Sequence, residues 1–288
     1  LNTVISILVD NGWFEPGRGY DKTVYLTHGA AQSMLLSRDG RPECFVKFTD
    51  QSSLALEAQR CQAAARQFPG LAPEFFGYAC KGALEVMATR AVVFRSVNAG
   101  LMRSARHAAG VQAGLESYFQ RMVEGARPAG THRAWVDEYL AYFDRLAWCD
   151  PARECLRQML SALSTLPLHD QHGDFVVNNL GTRGDGSLAV FDWEDYGAVD
   201  VPGLDLFTLE MSLLDELTEM TAADRPPREA GLDIDRICKA IGLPRPLYEQ
   251  LRTGYAFVFR FLKRNYGPDI RGRVDQLLHR LGAARVPA

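Results

Sequence analysis

His172-Gly173-Asp174-Phe175-Val176-Val177-Asn178-Asn179-Leu180, followed by Leu188-Ala189-Val190-Phe191-Asp192-Trp193-Glu194, decides how this 288-residue chain is read. An Asp sits in a His-Gly-Asp loop, an Asn follows at a fixed offset, and a second Asp ends an apolar run. The run Leu188–Phe191 predicts a strand. Thr182-Arg183-Gly184-Asp185-Gly186-Ser187 supplies the tight turn before it. A loop, strand, turn and strand in that order can aim three oxygen-bearing side chains into one cleft. Asn and Asp oxygens suit Mg²⁺, a hard cation usually held by one or two carboxylates together with substrate phosphates. Asp174 is then left to face a substrate hydroxyl.

These two segments resemble the catalytic and metal-binding segments of the aminoglycoside phosphotransferase / choline kinase family, relatives of the protein kinases. The His-Gly-Asp-(four residues)-Asn run parallels the kinase catalytic loop, and Phe191-Asp192-Trp193-Glu194 takes the place of the kinase metal-binding segment. The resemblance implies that Asp174 is the catalytic base and that Asn179 and Asp192 hold Mg²⁺. It makes His172 a scaffold residue whose ring fixes the loop by hydrogen bonding. No G-x-S-x-G elbow is present to support a Ser–His reading of that histidine. Asp205 matches the family's Asp at the start of the following helix, which braces the loop through its backbone. The other reading of the segments is a solvated acidic turn.

The flanking chain agrees in its order of elements. Thr23–Thr27, Ser33–Ser37 and Glu43–Phe48 predict three strands of an antiparallel meander, joined through His28-Gly29-Ala30-Ala31-Gln32 and Arg38-Asp39-Gly40-Arg41-Pro42. A helix follows over about Ser52 to Phe68 and ends at Pro69-Gly70. Leu71 to Cys80 and Leu84 to Thr89 add two more strands. This is the order of a kinase-like small lobe, and the resemblance then gives two residues roles. Lys47, at the end of the third strand, contacts the α/β-phosphates, and Glu57 on the helix pairs with it. The His28–Gln32 loop falls where a phosphate-covering loop belongs but carries a single Gly, and no G-x-x-x-x-G-K-[ST] occurs in the chain. Val86 to Arg90 falls at the hinge, where backbone groups near Met87 and Thr89 are expected to meet the adenine edge.

Beyond the hinge the chain predicts helices at Leu101–Val123, Arg133–Leu146 (opened by Thr131 as N-cap), Asp150–Leu163, Leu204–Met220, Leu247–Tyr266 and Ile270–Leu281. Trp135, Tyr139, Tyr142, Phe143 and Leu146 recur at helical spacing and read as a core stripe. His169 reads as structural, with no second His or Cys placed to share a metal. Thr221 to Pro246, rich in Pro and Gly around one short helix, reads as a connector or lid-like insertion.

Charge and cysteine content bound the remaining possibilities. A net charge of −3 and a pI of about 6.1 give no overall electrostatic case for a nucleic-acid partner. The six cysteines form no CxxC pair or zinc-type cluster and read as free, buried thiols of a reducing compartment. The opening Leu1–Val9 lacks a basic region and is interrupted by Asp10, and no stretch is long enough to span a bilayer. The expectation is a cytoplasmic protein with no membrane partner; nothing in the sequence sets an oligomeric state. From Asp192 to Asp224 ten acids occur without a Lys or Arg. They read either as a solvated helix face paired with the basic segment Arg252 to Arg273, or as attraction for a cationic acceptor.

The expected fold is therefore α+β, two-lobed and protein-kinase-like. A nucleotide-binding lobe with a small antiparallel sheet covers 1–90, and a mainly helical lobe covers 91–288. The expected activity is Mg²⁺-dependent transfer of the γ-phosphoryl group of ATP (or GTP) to a hydroxyl of a small molecule. A cationic acceptor would be an aminoglycoside, a choline-like amine or an amino alcohol. The alternatives are a catalytically silent nucleotide-binding pseudokinase or scaffold, and a kinase for a sugar, glycan or protein hydroxyl.

Overall fold

A computed structural model describes residues 1–15, 19–26, 31–102, 104–128, 134–146, 148–221 and 232–281. Thr27 at the end of the first expected strand, His28 to Ala30 of the expected phosphate-covering loop, Thr131 and residues 222–231 lie outside the described residues. The chain divides into two compact units, Leu1–Val97 with Asn179–Glu194, and Asn98–Asn178 with Asp195–Ala288.

The first unit opens with helix α1 (Asn2–Asp10) and continues with strands β1 (Asp21–Leu26), β2 (Gln32–Arg38) and β3 (Arg41–Thr49). Helix α2 (Ala55–Gln67) and strands β4 (Phe75–Lys81) and β5 (Leu84–Arg90) follow. The five strands make one antiparallel sheet in the order β1-β2-β3-β5-β4. Alternation of side chains along the strands separates two apolar layers. Met34 and Leu36 of β2, Cys44, Val46 and Phe48 of β3, and Val86 and Ala88 of β5 are buried against Val4, Ile7 and Leu8 of α1. The interleaved residues face the other way, where Met87 packs with Leu54 and Ala58 at the start of α2. Lys47 lies between Val46 and Phe48, and its ammonium group is bonded to Glu57 of α2. The start of α2 is held by Glu85 of β5, whose carboxylate accepts from Leu54 N–H at 2.7 Å and from Tyr78 Oη at 2.8 Å.

Three short strands complete this unit: β6 (Arg95–Ser96), β7 (Leu180–Thr182) and β8 (Leu188–Val190), paired antiparallel in that order. Val190 N–H donates to Leu71 O at 3.0 Å, and the Trp193 indole stacks on Phe68 at 5.1 Å. Residues 71–74 were expected to extend the fourth strand. They instead run into it as irregular chain after the Pro69-Gly70 break, with Gly70 at φ +82°.

The second unit is helical: α3 (Ala99–Met102), α4 (Ala105–Glu124), α5 (Trp135–Phe143), α6 (Cys149–Ala162), α7 (Leu204–Thr221), α8 (Ile234–Ile241), α9 (Arg245–Gln250), α10 (Arg252–Leu262) and α11 (Pro268–Arg280). The aromatic stripe forms core: Tyr139 and Phe143 are fully buried, and their rings meet Phe261 at 5.7 Å and Phe257 at 5.5 Å. Helix α8 is closed at both ends, Asp233 accepting from Arg236 N–H and Gly242 taking the left-handed region at φ +75°. Two local expectations need correction. Helix α6 begins at Cys149, one residue before the expected start at Asp150, and Trp148 occupies its N-cap. Of the six cysteines expected to be buried, Cys44 and Cys238 are; Cys61, Cys149 and Cys155 are half-buried, and Cys80 is exposed on the outer strand β4. Burial pushes the Cys44 thiol up to about 12, so it is an inert core group.

Candidate active site

Lys47, Glu57, Met87, Thr89, Asn179 and Asp192 belong to the first unit, and His172, Asp174 and Asp205 to the second.

In the first unit the Lys47 Nζ reaches both Glu57 carboxylate oxygens at 2.8 Å. Their side chains are 17% and 16% exposed, so a ligand can reach the pair while water screens it only partly. A second carboxylate, Glu194 Oε2, stands 3.5 Å from the same ammonium. Burial disfavours the charge on Lys47, but the Glu57 carboxylate, helped by Glu194, more than offsets it and holds the lysine above its ordinary value. Arg60, one turn along α2, donates to the Glu194 carbonyl. Glu194 was quoted in the decisive stretch without a role, and its contact with Lys47 has no local sequence signal. Met87 is buried opposite Lys47 in the β3–β5 register, and Thr89, two residues on, is partly exposed. A cleft of about 990 Å³ on this unit, bordered by Arg66, Phe75, Arg90 and Arg183, contains none of these residues.

Asn179 ends a 3-10 turn (Val177–Asn179), and Phe191 N–H donates to its carbonyl at 2.9 Å. That bond ties Asn179 to the residue preceding Asp192. Asp192 lies at φ +59°, a conformation uncommon for a residue with a Cβ. The donor set, an amide oxygen and a carboxylate held on adjoining backbone, fits a hard divalent cation that keeps water and phosphate as its other ligands. No group of three or more His, Cys, Asp or Glu side chains suited to a metal occurs among the described residues.

In the second unit the Asp174 loop is tied from below. Asp205, wholly buried at the first turn of α7, accepts from His172 N–H at 2.8 Å, Gly173 N–H at 3.0 Å and Tyr118 Oη at 2.6 Å. Burial pushes its carboxyl up, while His172 and these bonds pull it back. The His172 ring is also buried, and its Nδ1 accepts from Asp174 N–H at 3.3 Å. Gly173 takes φ +84°, and a Cβ there would come within 2.9 Å of Asp195 Cβ. Asp174 meets an ammonium group: Lys263, just after α10, places Nζ 2.9 Å from Asp174 Oδ1 and 3.3 Å from Asp195 Oδ2. Sequence reasoning counted Lys263 only within a basic segment.

Four acids of the run, from Asp195 to Glu210, are engaged within the protein. Asp195 pairs with Lys263, Asp200 with Arg127 and the Trp135 indole, Asp205 with the loop, and Glu210 with Arg252 at 3.0 Å and the Tyr248 hydroxyl. The side chains of Asp215, Glu216, Glu219 and Asp224 lie outside the described residues.

No protein-family model and no curated protein matches the sequence. The fold does match solved structures. Aminoglycoside phosphotransferase APH(3'')-Id from Streptomyces rimosus superposes with a TM-score of 0.58 at 15% identity, over 91% of this chain and 98% of its own. APH(2'')-IIa, in a ternary complex with streptomycin and ATP, gives 0.59 at 11% identity over 96% and 95%. A Thermobifida fusca protein assigned as a fructosamine-3-kinase gives 0.57 at 17% identity over 99% and 98%. At these identities the likeness is one of fold, and the α+β kinase-like fold expected from the sequence is the fold of this chain.

Proposed function

We propose that the protein is a small-molecule kinase, moving the γ-phosphoryl group of ATP or GTP to an alcohol. The observation that carries this reading is the bidentate Lys47–Glu57 contact, within a unit that also supplies Asn179 and Asp192 on joined backbone. A partly exposed ammonium with a fixed carboxylate partner suits the α/β-phosphates of a nucleotide, while backbone groups about Met87 and Thr89 would meet the base. Asn179 and Asp192 would hold Mg²⁺. When bound, the ion would neutralise charge on the β/γ-phosphates.

The chemistry assigned to the second unit is proton transfer. Asp174 accepts the proton of the acceptor hydroxyl as its oxygen forms a bond to γ-phosphorus and the bond to the β-bridging oxygen breaks, leaving the nucleoside diphosphate. Little covalent chemistry is asked of the protein, so rate comes from positioning and charge complementarity. Asp205, His172 and Tyr118 serve that positioning by fixing the loop. The relatives of known structure act on, or are bound to, aminoglycosides and a fructosamine by their names, which supports a polyhydroxylated small-molecule acceptor. The acids from Asp195 to Glu210 are already engaged internally and give no separate support to a cationic one.

The test is Mg²⁺-dependent transfer from ATP and GTP across a panel of hydroxyl-bearing acceptors, with Asp174→Asn as control. Acceptor-stimulated turnover that the substitution abolishes is the expected result. Nucleotide binding without turnover on any acceptor would favour the pseudokinase or scaffold reading instead. Absence of both would end the phosphotransferase assignment.

A further inference from the structure

We propose that Lys263, with Asp195 behind it, is a positioning residue for Asp174, holding the proton-accepting carboxylate in place and keeping its own charge compensated throughout the reaction. This rests on the assignment of Asp174 as the base. Lys263 leaves α10 in a 3-10 turn (Lys263–Asn265) and is 2% exposed. A buried ammonium is costly unless paired. It is met by Asp174 Oδ1 at 2.9 Å, Asp195 Oδ2 at 3.3 Å and the face of Tyr266, whose ring centre is 4.3 Å away. Phe259 lies on it at 5.6 Å.

The arrangement of this group serves more than fold stabilisation, because Lys263 reaches two carboxylates at once, 16% and 19% exposed. A one-to-one pair with Asp174 would be broken at the moment Asp174 took up the hydroxyl proton, and a buried ammonium would be left without a counter-ion. With Asp195 present, proton uptake leaves a matched Lys263–Asp195 pair. Asp195 is itself fixed, because its Cβ and carbonyl pack directly over Gly173. Through Oδ1, Lys263 sets the plane of the Asp174 carboxylate. Displacement of a reacting group by about 1 Å can cost roughly a hundredfold in rate.

The experiment compares wild type, Lys263→Met, Asp174→Asn and the double variant, using Mg·ATP with water as acceptor and release of inorganic phosphate as readout. Binding of Mg·ATP is followed separately by calorimetry. Methionine keeps the length of the side chain and its contact with Tyr266, and Lys263→Gln replaces it if that variant fails to fold. Lys263→Met should lower kcat by about a hundredfold with KM for ATP within about twofold. It should add nothing to Asp174→Asn, since both act through one carboxylate. Amide exchange across His172–Val176, which needs no turnover, should quicken at least about tenfold in Lys263→Met. A kcat within twofold of wild type, a loss that multiplies with that of Asp174→Asn, or unchanged loop exchange would each overturn the inference while the kinase reading stands. A wild type that does not bind Mg·ATP would remove the kinase reading, and this inference with it.

Discussion

Tyr118 Oη lies 2.6 Å from Asp205 Oδ2, the same oxygen that accepts His172 N–H at 2.8 Å, so one buried carboxylate joins helix α4 to the Asp174 loop. Both side chains are completely buried. Tyr118→Phe should cost about 1–2 kcal/mol of stability, the usual cost of leaving a buried acceptor short of a donor. Urea denaturation measures it. Asp205→Ala leaves two loop N–H groups without their partner and should cost more, with loss of turnover even in whatever fraction remains folded.

Gly173 and Gly186 allow backbone strain and steric overlap to be separated. Both sit in the left-handed region, at φ +84° and +85°, but a Cβ at Gly186 would meet nothing within 4 Å. Gly186→Ala should therefore lose only the conformational cost of about 1–2 kcal/mol. Gly173→Ala adds overlap with Asp195 at 2.9 Å and should lose roughly 1–3 kcal/mol beyond that. The difference between the two denaturation midpoints, at equal m-values, reads the overlap directly. Equal losses would mean that the Asp195 backbone gives way.

Lys47→Met and Glu57→Gln should behave as one unit towards the nucleotide. Lys47→Met is expected to weaken ATP binding or turnover by about tenfold or more, roughly 1.4 kcal/mol. Glu57→Gln should have a smaller effect, because Glu194 is a second carboxylate near the same ammonium. The double variant should be no worse than Lys47→Met alone, measured by calorimetry with Mg·ATP. Additive losses would mean that Glu57 acts on something other than Lys47.

His169 predicts an acid-sensitive term in stability. It is 1% exposed, neither ring nitrogen has a hydrogen-bond partner among the described residues, and burial lowers it from 6.5 to about 4. Between those values the unfolded chain holds a proton that the folded chain rejects. Stability therefore rises with pH across this window and is lost as pH falls from 6.5 towards 4. The full term is roughly 3 kcal/mol at about 1.4 kcal/mol per pH unit. His169→Leu should flatten the difference between pH 6.5 and 4 without lowering stability at pH 7. A variant whose acid dependence equals that of the wild type would assign the term elsewhere.

Local signals and long-range ones were unequally legible in the sequence. Strand β3 announces itself by alternating side chains, and Lys47 inherits its direction from Val46 and Phe48 on either side. Asp205 was singled out by the family resemblance, at the start of the helix that follows Pro202-Gly203. Lys263 could not be: its neighbours Arg260 and Arg264 carry the same charge, yet they pair with Asp275 and Glu138, and only tertiary packing decides which cation meets Asp174. Glu194 is similar, since an acid in a Trp-Glu-Asp run gives no hint that it will face a lysine on β3. The break at residues 71–74 was missed because Leu71 and Ala72 are as apolar as strand residues, although they are buried in irregular chain.

The placement of β7 and β8 has a consequence for synthesis. Asn179–Glu194 belongs to the first unit although 81 residues of the second, Asn98–Asn178, precede it in the chain. When Val97 leaves the ribosome, β6 has no strand to pair with, Phe68 has no Trp193 to stack on, and Leu71 O has no Val190 N–H. The three-stranded β6-β7-β8 sheet must wait until Asn98–Asn178 of the helical unit has been made. Nascent chains stalled before and after residue 194 should therefore differ sharply in the protease resistance of their first hundred residues, and a gene fragment ending near Val97 would encode an unfinished fold.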